Sequence, residues 1–405
     1  MRVAIVSNHF APYVGGIETQ NRLIAEALVR RGHHVTVLTR RYDPALPWRE
    51  VRNGVRVERL RPSGERIVDK WLMNAGVFRH LLLARPEFDA VLVTLFSVHI
   101  FGPALAGALR RFPLVVRTDL SSELLGGVSE DSVLRLPRAI RPVVRTGLAM
   151  ARRAAYRRAR RVIAISRALA REAAVFGFPE SAVALVPNAV DLERFRPVTP
   201  AGKTRLRAAL GLDPDAEIAI TVSRLVRRKG LLTLVEAWAG VARDRPRAML
   251  LIVGGGPGPR SMHDAERPLR AAVAARGLGG RVRLVGPVAD VERWLQAGDL
   301  FVFASEEESF GCALAEAMAC GLPVVCARIE GAAEDLVVEG AHGLTFDVGD
   351  VETLRRGLAD LLADPAARAA MGAAARAAVA ERLAVPRIAS EYERVLAAAA
   401  GEARG

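Results

Sequence analysis

Apolar runs of four to six residues recur along the chain, separated by stretches in which apolar positions return every three or four residues. Short continuous runs mark strands buried on both faces, and the longer period marks helices laid over them. The pattern therefore predicts parallel α/β sheets. In the first half the predicted strands are Val3–Val6, Val35–Leu38, Val55–Leu60, Ala90–Val93, Leu114–Val116, Val162–Ile165 and Val183–Val186. A helix over Glu18–Arg31 ends at Gly32, a residue suited to a helix stop. A second series begins near residue 217, with strands Ile218–Val222, Met249–Val253, Val282–Val285, Leu300–Phe303 and Pro323–Cys326. Its helices include Leu231–Arg243 and Cys312–Cys320, and the tail Val351–Ala400 is Ala-rich and helical throughout. The segment Pro187–Gly202, rich in proline and polar residues, reads as the linker. The expected fold class is α/β, with two Rossmann-like, doubly wound domains (1–197 and 198–384) facing across a cleft. A helical C-terminal segment, 385–405, is able to pack back on the first. Ligands of such sheets sit beyond the carboxyl ends of the strands.

Charge divides the two halves. Residues 1–197 hold 32 Lys/Arg against 17 Asp/Glu, a net of +15, and the remainder holds 26 against 27. An anionic partner on the first half accounts for this, whether lipid, nucleic acid or a phosphate-bearing substrate. Ser132–Arg171 contains 12 Arg and no acidic residue, interleaved with apolar positions and Tyr156. Lys70–Leu83 is a second amphipathic candidate, with Trp71, Leu72, Met73, Phe78 and Leu81. Both suit an anionic membrane surface, and both also suit buried amphipathic helices with solvated cations. An aromatic fraction of 5% argues against base-stacking recognition of nucleic acid. Ala90–Leu109 is uncharged for twenty positions but holds Gly102, Pro103 and Gly107, so it reads as strand, turn and helix rather than a membrane span. The N-terminal MRVAIVSNHFAPY is too short in apolar length for a secretory signal. Cys312, Cys320 and Cys326 lack metal-site spacing and read as reduced thiols of a cytoplasmic protein.

Candidate chemistry falls just after the strands. In SEEESFGCALAEAMACGLPVV, Glu308 lies in a polar loop at a helix N-terminus and Glu316 two turns further on. Eight residues along a helix is a rise of about 12 Å, too far for a shared-proton pair but suited to the two ends of one extended ligand. In TVSRLVRRKG, Arg224 and Lys229 follow a buried strand and suit a diphosphate. Gly15 and Gly16 leave the start of the first helix open to a phosphate or sugar. In LIVGGGPGP, Gly254 and Gly256 lie after a strand without the regular dinucleotide spacing, and Arg260 and His263 beyond them read as surface residues. Asp213-Pro-Asp215 has a metal-binding form but precedes a strand, and reads as a turn.

The string through Glu308, Phe310, Gly311, Glu316, Ala317, Met318, Gly321 and Pro323 resembles the Glu-x7-Glu signature of the GT-B glycosyltransferases of family 4. TVSRLVRRKG resembles that family's "GRL…KG" element with Ser223 in place of Gly, and Gly15, Gly16 and Glu18 resemble its GGxE element. Val186–Phe195 resembles its "PNGVD…F" element, with Ala189 in place of Gly. The resemblance implies a retaining sugar transfer from a nucleotide-sugar donor. Glu308, with Ser309, Phe310 and Gly311, would meet the donor sugar, Glu316 the ribose, and Arg224 and Lys229 the leaving diphosphate. Gly254 and Gly256 would face the donor. With two cations at the diphosphate, neither a metal nor a resident cofactor is expected. The family's His after the strand ending near Val116 is missing; Thr118 and Asp119 stand there, and Asp119 becomes the candidate acceptor-side residue, with His9 and His99 as other imidazoles. The expected acceptor is a membrane lipid or a saccharide, without nucleic acid. A nucleotide-dependent oxidoreductase or sugar epimerase is the alternative enzyme class, and a non-catalytic binder of anionic surfaces a third.

Overall fold

The computed structural model describes residues 1–13, 15–60, 67–84, 88–94, 98–120, 141–256 and 264–404. They form two compact units. Met1–Ala189 and the helix Val385–Arg404 make one, and Val190–Ala384 makes the other. The division at Ala189–Val190 precedes the expected 197/198 boundary. Gln20 explains the position, since its side chain bonds both the N–H and the C=O of Ala189 at 2.8 Å and ties that residue to the first unit.

The first unit holds an eight-stranded sheet. Its strands are β1 (Arg2–Ser7), β2 (His34–Arg40), β3 (Arg49–Arg52), β4 (Val55–Leu60), β5 (Ala90–Thr94), β6 (Leu114–Thr118), β7 (Ala159–Ala164) and β8 (Val183–Leu185). Their order is β3-β4-β2-β1-β5-β6-β7-β8, parallel except for the antiparallel pair β3–β4. β1 and β5 are buried almost end to end, as a central parallel strand with helices on both faces must be. The helix Gly16–Arg30 covers one face with Ile24, Ala25 and Leu28. The C-terminal helix joins it there through Ile388, Tyr392 and Leu396, all at most 1% exposed. Each such side chain stabilises the unit by about 1.5–3 kcal/mol on burial.

The Arg-rich stretch spans several elements. Ser132–Ile140 lies outside the described residues. The remainder is a helix (Arg141–Tyr156), strand β7 in the interior of the sheet, and a helix (Arg167–Phe176) capped by Ser166. The helix Ile67–Leu83 buries Met73, Val77 and Leu81 and leaves Trp71 and Leu72 exposed. Among the described residues no helix is long and apolar enough to cross a membrane.

The second unit is a six-stranded, wholly parallel sheet of β9 (Glu217–Val222), β10 (Ala248–Val253), β11 (Val282–Gly286), β12 (Leu300–Phe303), β13 (Val324–Ala327) and β14 (Gly343–Phe346). The order is β11-β10-β9-β12-β13-β14. The chain builds outward from β9 in one direction and then, from β12, in the other. The order therefore reverses between β9 and β12, and a doubly wound sheet opens a crevice at the carboxyl ends of such a pair.

Candidate functional site

At that reversal two loops meet. After β9 the chain passes through a single 3-10 turn, Arg227–Lys229, before the helix Leu231–Asp244. After β12 it runs through Ser305–Phe310 into the helix Cys312–Ala319, with Gly311 as its N-cap. The Glu306 N–H donates to the Arg228 carbonyl at 2.9 Å, joining the loops. Gly230 holds φ +61°, and a Cβ there would collide with the Ala304 carbonyl; only glycine lets the backbones approach so closely. Gly254, at the end of β10, meets the Ser223 carbonyl in the same way.

This packing pairs two predicted residues. Lys229 Nζ donates to Glu308 Oε2, with the two side chains 10% and 22% exposed. A carboxylate and an ammonium so shielded are held in place, yet keep an open edge for a ligand. Arg224, in the same loop after β9, is exposed. Ser309 is half-buried at the rim. The Phe310 ring is 2% exposed, buried beneath the loop. Gly256 follows Gly254, and a side chain there would meet the Asp264 carboxylate. The rest of that loop, with Arg260 and His263, lies outside the described residues.

Glu316 sits on the second turn of the Cys312–Ala319 helix with an edge to solvent. Burial raises its pKa to about 7; the charge of Arg194 partly offsets this, and Glu292 adds to it. Arg194 and Glu292 are themselves paired, at 2.8 Å from Nε to Oε2. Sequence reasoning missed both residues, although Arg194 lies in the Val186–Phe195 segment it singled out. Their signal is complementary charge flanking a buried acid, visible only once the loops are folded. Burial also pushes the Cys320 thiol up to about 12 and raises that of Cys326, so neither is a nucleophile.

The remaining candidates lie in the first unit. Gly15 caps the helix Gly16–Arg30, where Glu18 folds its carboxylate back against it. Asp119 is 3% exposed and pairs with Arg117, Nε to Oδ1 at 2.7 Å. Arg117 Nη1 in turn donates to the Tyr392 hydroxyl at 3.3 Å on the C-terminal helix. Burial alone would lower the Arg117 pKa, but Asp119 and Tyr392 raise it, so the guanidinium stays charged. In this arrangement the Asp119 carboxylate neutralises a fully buried cation that also bonds the C-terminal helix. His9 Nε2 accepts from Arg40 at 2.6 Å, and His99 is 4% exposed. Asp213 accepts from the Asp215 N–H at 2.9 Å, a local turn.

The sequence is 30% identical over 386 residues, 92% of each chain, to the GDP-mannose-dependent alpha-(1-6)-phosphatidylinositol monomannoside mannosyltransferase of Mycolicibacterium smegmatis. The chain belongs to the group 1 glycosyltransferases. The model of glycosyl transferases group 1 matches residues 202–378, and that of the glycosyl transferase 4-like domain matches residues 15–189. A GDP-mannose-dependent monoacylated alpha-(1-6)-phosphatidylinositol monomannoside mannosyltransferase of Corynebacterium glutamicum is 37% identical over 203 residues, 48% of this glycosyltransferase and half (50%) of that relative. The fold is GT-B. It matches the structure of sucrose-phosphate synthase from Thermosynechococcus elongatus with a TM-score of 0.76 and 26% identity, over 98% of this chain and 99% of that one.

Proposed function

We propose that this glycosyltransferase moves a hexose, mannose from GDP-mannose foremost, to a lipid-linked saccharide with retention of anomeric configuration. The observation that carries the reading is the Lys229–Glu308 pair at the sheet reversal. Breaking a glycosyl–phosphate bond builds negative charge on the phosphate and positive charge on the sugar ring. A cation and a hydroxyl-accepting carboxylate in contact suit the two sides of that one bond. Lys229 and Arg224 hold the departing diphosphate, and Glu308 orients the sugar hydroxyls. Glu316 accepts hydrogen bonds from the ribose diol. The two cations supply the charge a divalent ion would bring, so transfer proceeds without metal. Asp119, locked to Arg117, takes no part in proton transfer, and the departing phosphate receives the acceptor proton. The two mannosyltransferase relatives support GDP-mannose and an inositol-lipid acceptor.

The enzyme works at the cytoplasmic face of a membrane in this reading. Val143, Val144 and Met150 are exposed on the helix Arg141–Tyr156 beside the exposed Arg145 and Arg153. That mixture suits anionic lipid, at about 1 kcal/mol per cation near the surface. The test is nucleotide release from GDP-, UDP- and ADP-sugars without added metal, with and without anionic vesicles carrying phosphoinositide acceptors. Release from GDP-mannose, greater with vesicles and lost in Glu308→Ala, is expected, and NMR of the product reads the anomeric configuration. Release from none of the donors overturns the reading; release indifferent to vesicles overturns its membrane half.

A further inference from the structure

The helix Pro365–Arg382 packs against the helix Cys312–Ala319 that carries Glu316. The approach is backbone to backbone, since a Cβ at Gly372 would collide with the Gly321 carbonyl. Four residues on, and so on the same face of its helix, Arg376 reaches across that contact. Its Nη1 donates to the Ala319 carbonyl, at the end of the Glu316 helix, at 2.8 Å and to the Phe195 carbonyl at 2.7 Å. Its Nη2 donates to the Leu192 carbonyl at 3.4 Å. One planar guanidinium thus clasps two segments brought from distant parts of the chain.

The Leu192 and Phe195 carbonyls flank Arg194. Asp191 closes this turn: its carboxylate accepts from the Glu193 and Arg194 N–H groups at 3.2 and 3.1 Å, and its carbonyl from the Phe195 N–H at 2.8 Å. Arg376 fastens the turn by its main chain. At the far end of the side chain, the Arg194 guanidinium donates to Glu292 Oε2 at 2.8 Å and to the Ala289 carbonyl at 2.9 Å. The groups that face the Glu316 carboxyl are Arg194, Glu292 and the Cys320 thiol, and of these Arg194 favours its ionised form. The charge of Arg376 bears on Cys320 instead.

We propose that Arg376 is a positioning residue for donor binding: it holds the Leu192 and Phe195 carbonyls so that Arg194 stays beside Glu316, and the Ala319 carbonyl so that the Glu316 helix keeps its end. The inference rests on Glu316 meeting the donor ribose, and adds what keeps that carboxylate able to accept the ribose hydroxyls. The fork matters here as much as the charge, because three carbonyls in two segments need donors in fixed directions. A lysine at 376 keeps the charge and loses the fork.

The test uses the full chain and carbon-13 NMR of enzyme labelled at the Glu carboxyls, with Glu316→Gln identifying the Glu316 resonance. In the wild type its titration is centred at about 7. Arg376→Gln and Arg376→Lys are each expected to move the midpoint about one pH unit higher, and Arg194→Gln to move it as far. In the Arg194→Gln background, Arg376→Gln is expected to add nothing. Calorimetry with GDP-mannose, on the Glu308→Ala parent, reads the consequence for the donor. An Arg376 variant binds about fivefold more weakly than the parent at pH 7 and about equally at pH 9, where both hold an ionised Glu316. An unmoved midpoint in both Arg376 variants overturns the inference, and so does a further rise in the Arg194→Gln background. A loss of affinity equal at pH 7 and pH 9 overturns it too, since a residue that only supports the fold gives that result. If GDP-mannose fails to bind the parent at any pH, the donor reading is at fault, and the NMR midpoints still decide whether Arg376 keeps Arg194 beside Glu316.

Discussion

Replacing Glu316 by Gln is expected to uncouple donor binding from proton release. Burial raises the Glu316 pKa to about 7 from an ordinary 4.5, with Arg194 opposing and Glu292 reinforcing the rise. At pH 7 about half of the empty molecules hold that proton, at pH 8 about one in eleven, and at pH 6 about ten in eleven. Two ribose hydroxyls donating to the carboxylate favour the ionised form and return the pKa towards its ordinary value. Binding at pH 7 then releases about half a proton per site, and affinity falls about tenfold between pH 8 and pH 6. Calorimetry with GDP-mannose in buffers of differing ionisation enthalpy reads both quantities, since the sugar-esterified diphosphate exchanges no proton near neutrality. The Glu308→Ala background prevents turnover during the titration. Stability follows the same sign. A carboxyl whose folded pKa is raised favours the folded state most below about pH 4.5 and loses that advantage as pH climbs through 7. The empty enzyme therefore melts lower at pH 8 than at pH 6 through this group, and the donor's stabilisation is larger at pH 8. Heats independent of buffer, or equal proton release in Glu316→Gln, would refute the argument.

Three further outcomes are expected. Lys229→Ala and Glu308→Ala each lower turnover about a hundredfold or more while far-ultraviolet circular dichroism stays that of the wild type; turnover within a few-fold of wild type removes the pair from the mechanism. Asp119→Ala leaves the buried Arg117 cation uncompensated and destabilises the first unit by about 3–5 kcal/mol, whereas Tyr392→Phe costs only about 1 kcal/mol. Urea titration separates the two, and an Asp119 variant of native stability but lost activity would restore its catalytic reading. Gly230→Ala forces a side chain into the Ala304 carbonyl and at φ +61°, so it weakens donor binding and costs about 1–3 kcal/mol, which calorimetry and thermal denaturation measure together.

The central strands were legible because a strand covered by helices on both faces is a continuous apolar run, as in Ala90–Thr94 and Leu300–Phe303. Two strands escaped. β3, REVR, is a half-exposed antiparallel edge with no apolar run, and β14, GLTF, is only four residues long. Inside the Arg-rich stretch the apolar run at Val162–Ile165 was legible as a strand, and its arginines obscured only where it starts, at Ala159. The position of Arg224, Lys229 and Glu308 in loops just after strands was legible too. Asp119 was placed among the site residues on the same ground, and the structure adds what the sequence did not show, its ion pair with the buried Arg117. What no string of letters conveys is desolvation. Glu316 titrates near neutrality chiefly because the folded chain buries it, with Arg194 opposing and Glu292 reinforcing the rise.

The return of the last helix to the first unit governs how the protein can be made. Val190–Ala384 is continuous in sequence and can close its sheet as soon as it leaves the ribosome. The first unit cannot, since Ile5, Ile24 and Leu28 share a core with Ile388, Tyr392 and Leu396, and Arg117 waits for the Tyr392 hydroxyl. At about 5–20 residues per second, the earliest-made strands spend many seconds with that face uncovered and an unanchored cation inside. A premature stop after residue 384 would leave every donor-side residue in place and still deny the enzyme a finished N-terminal half.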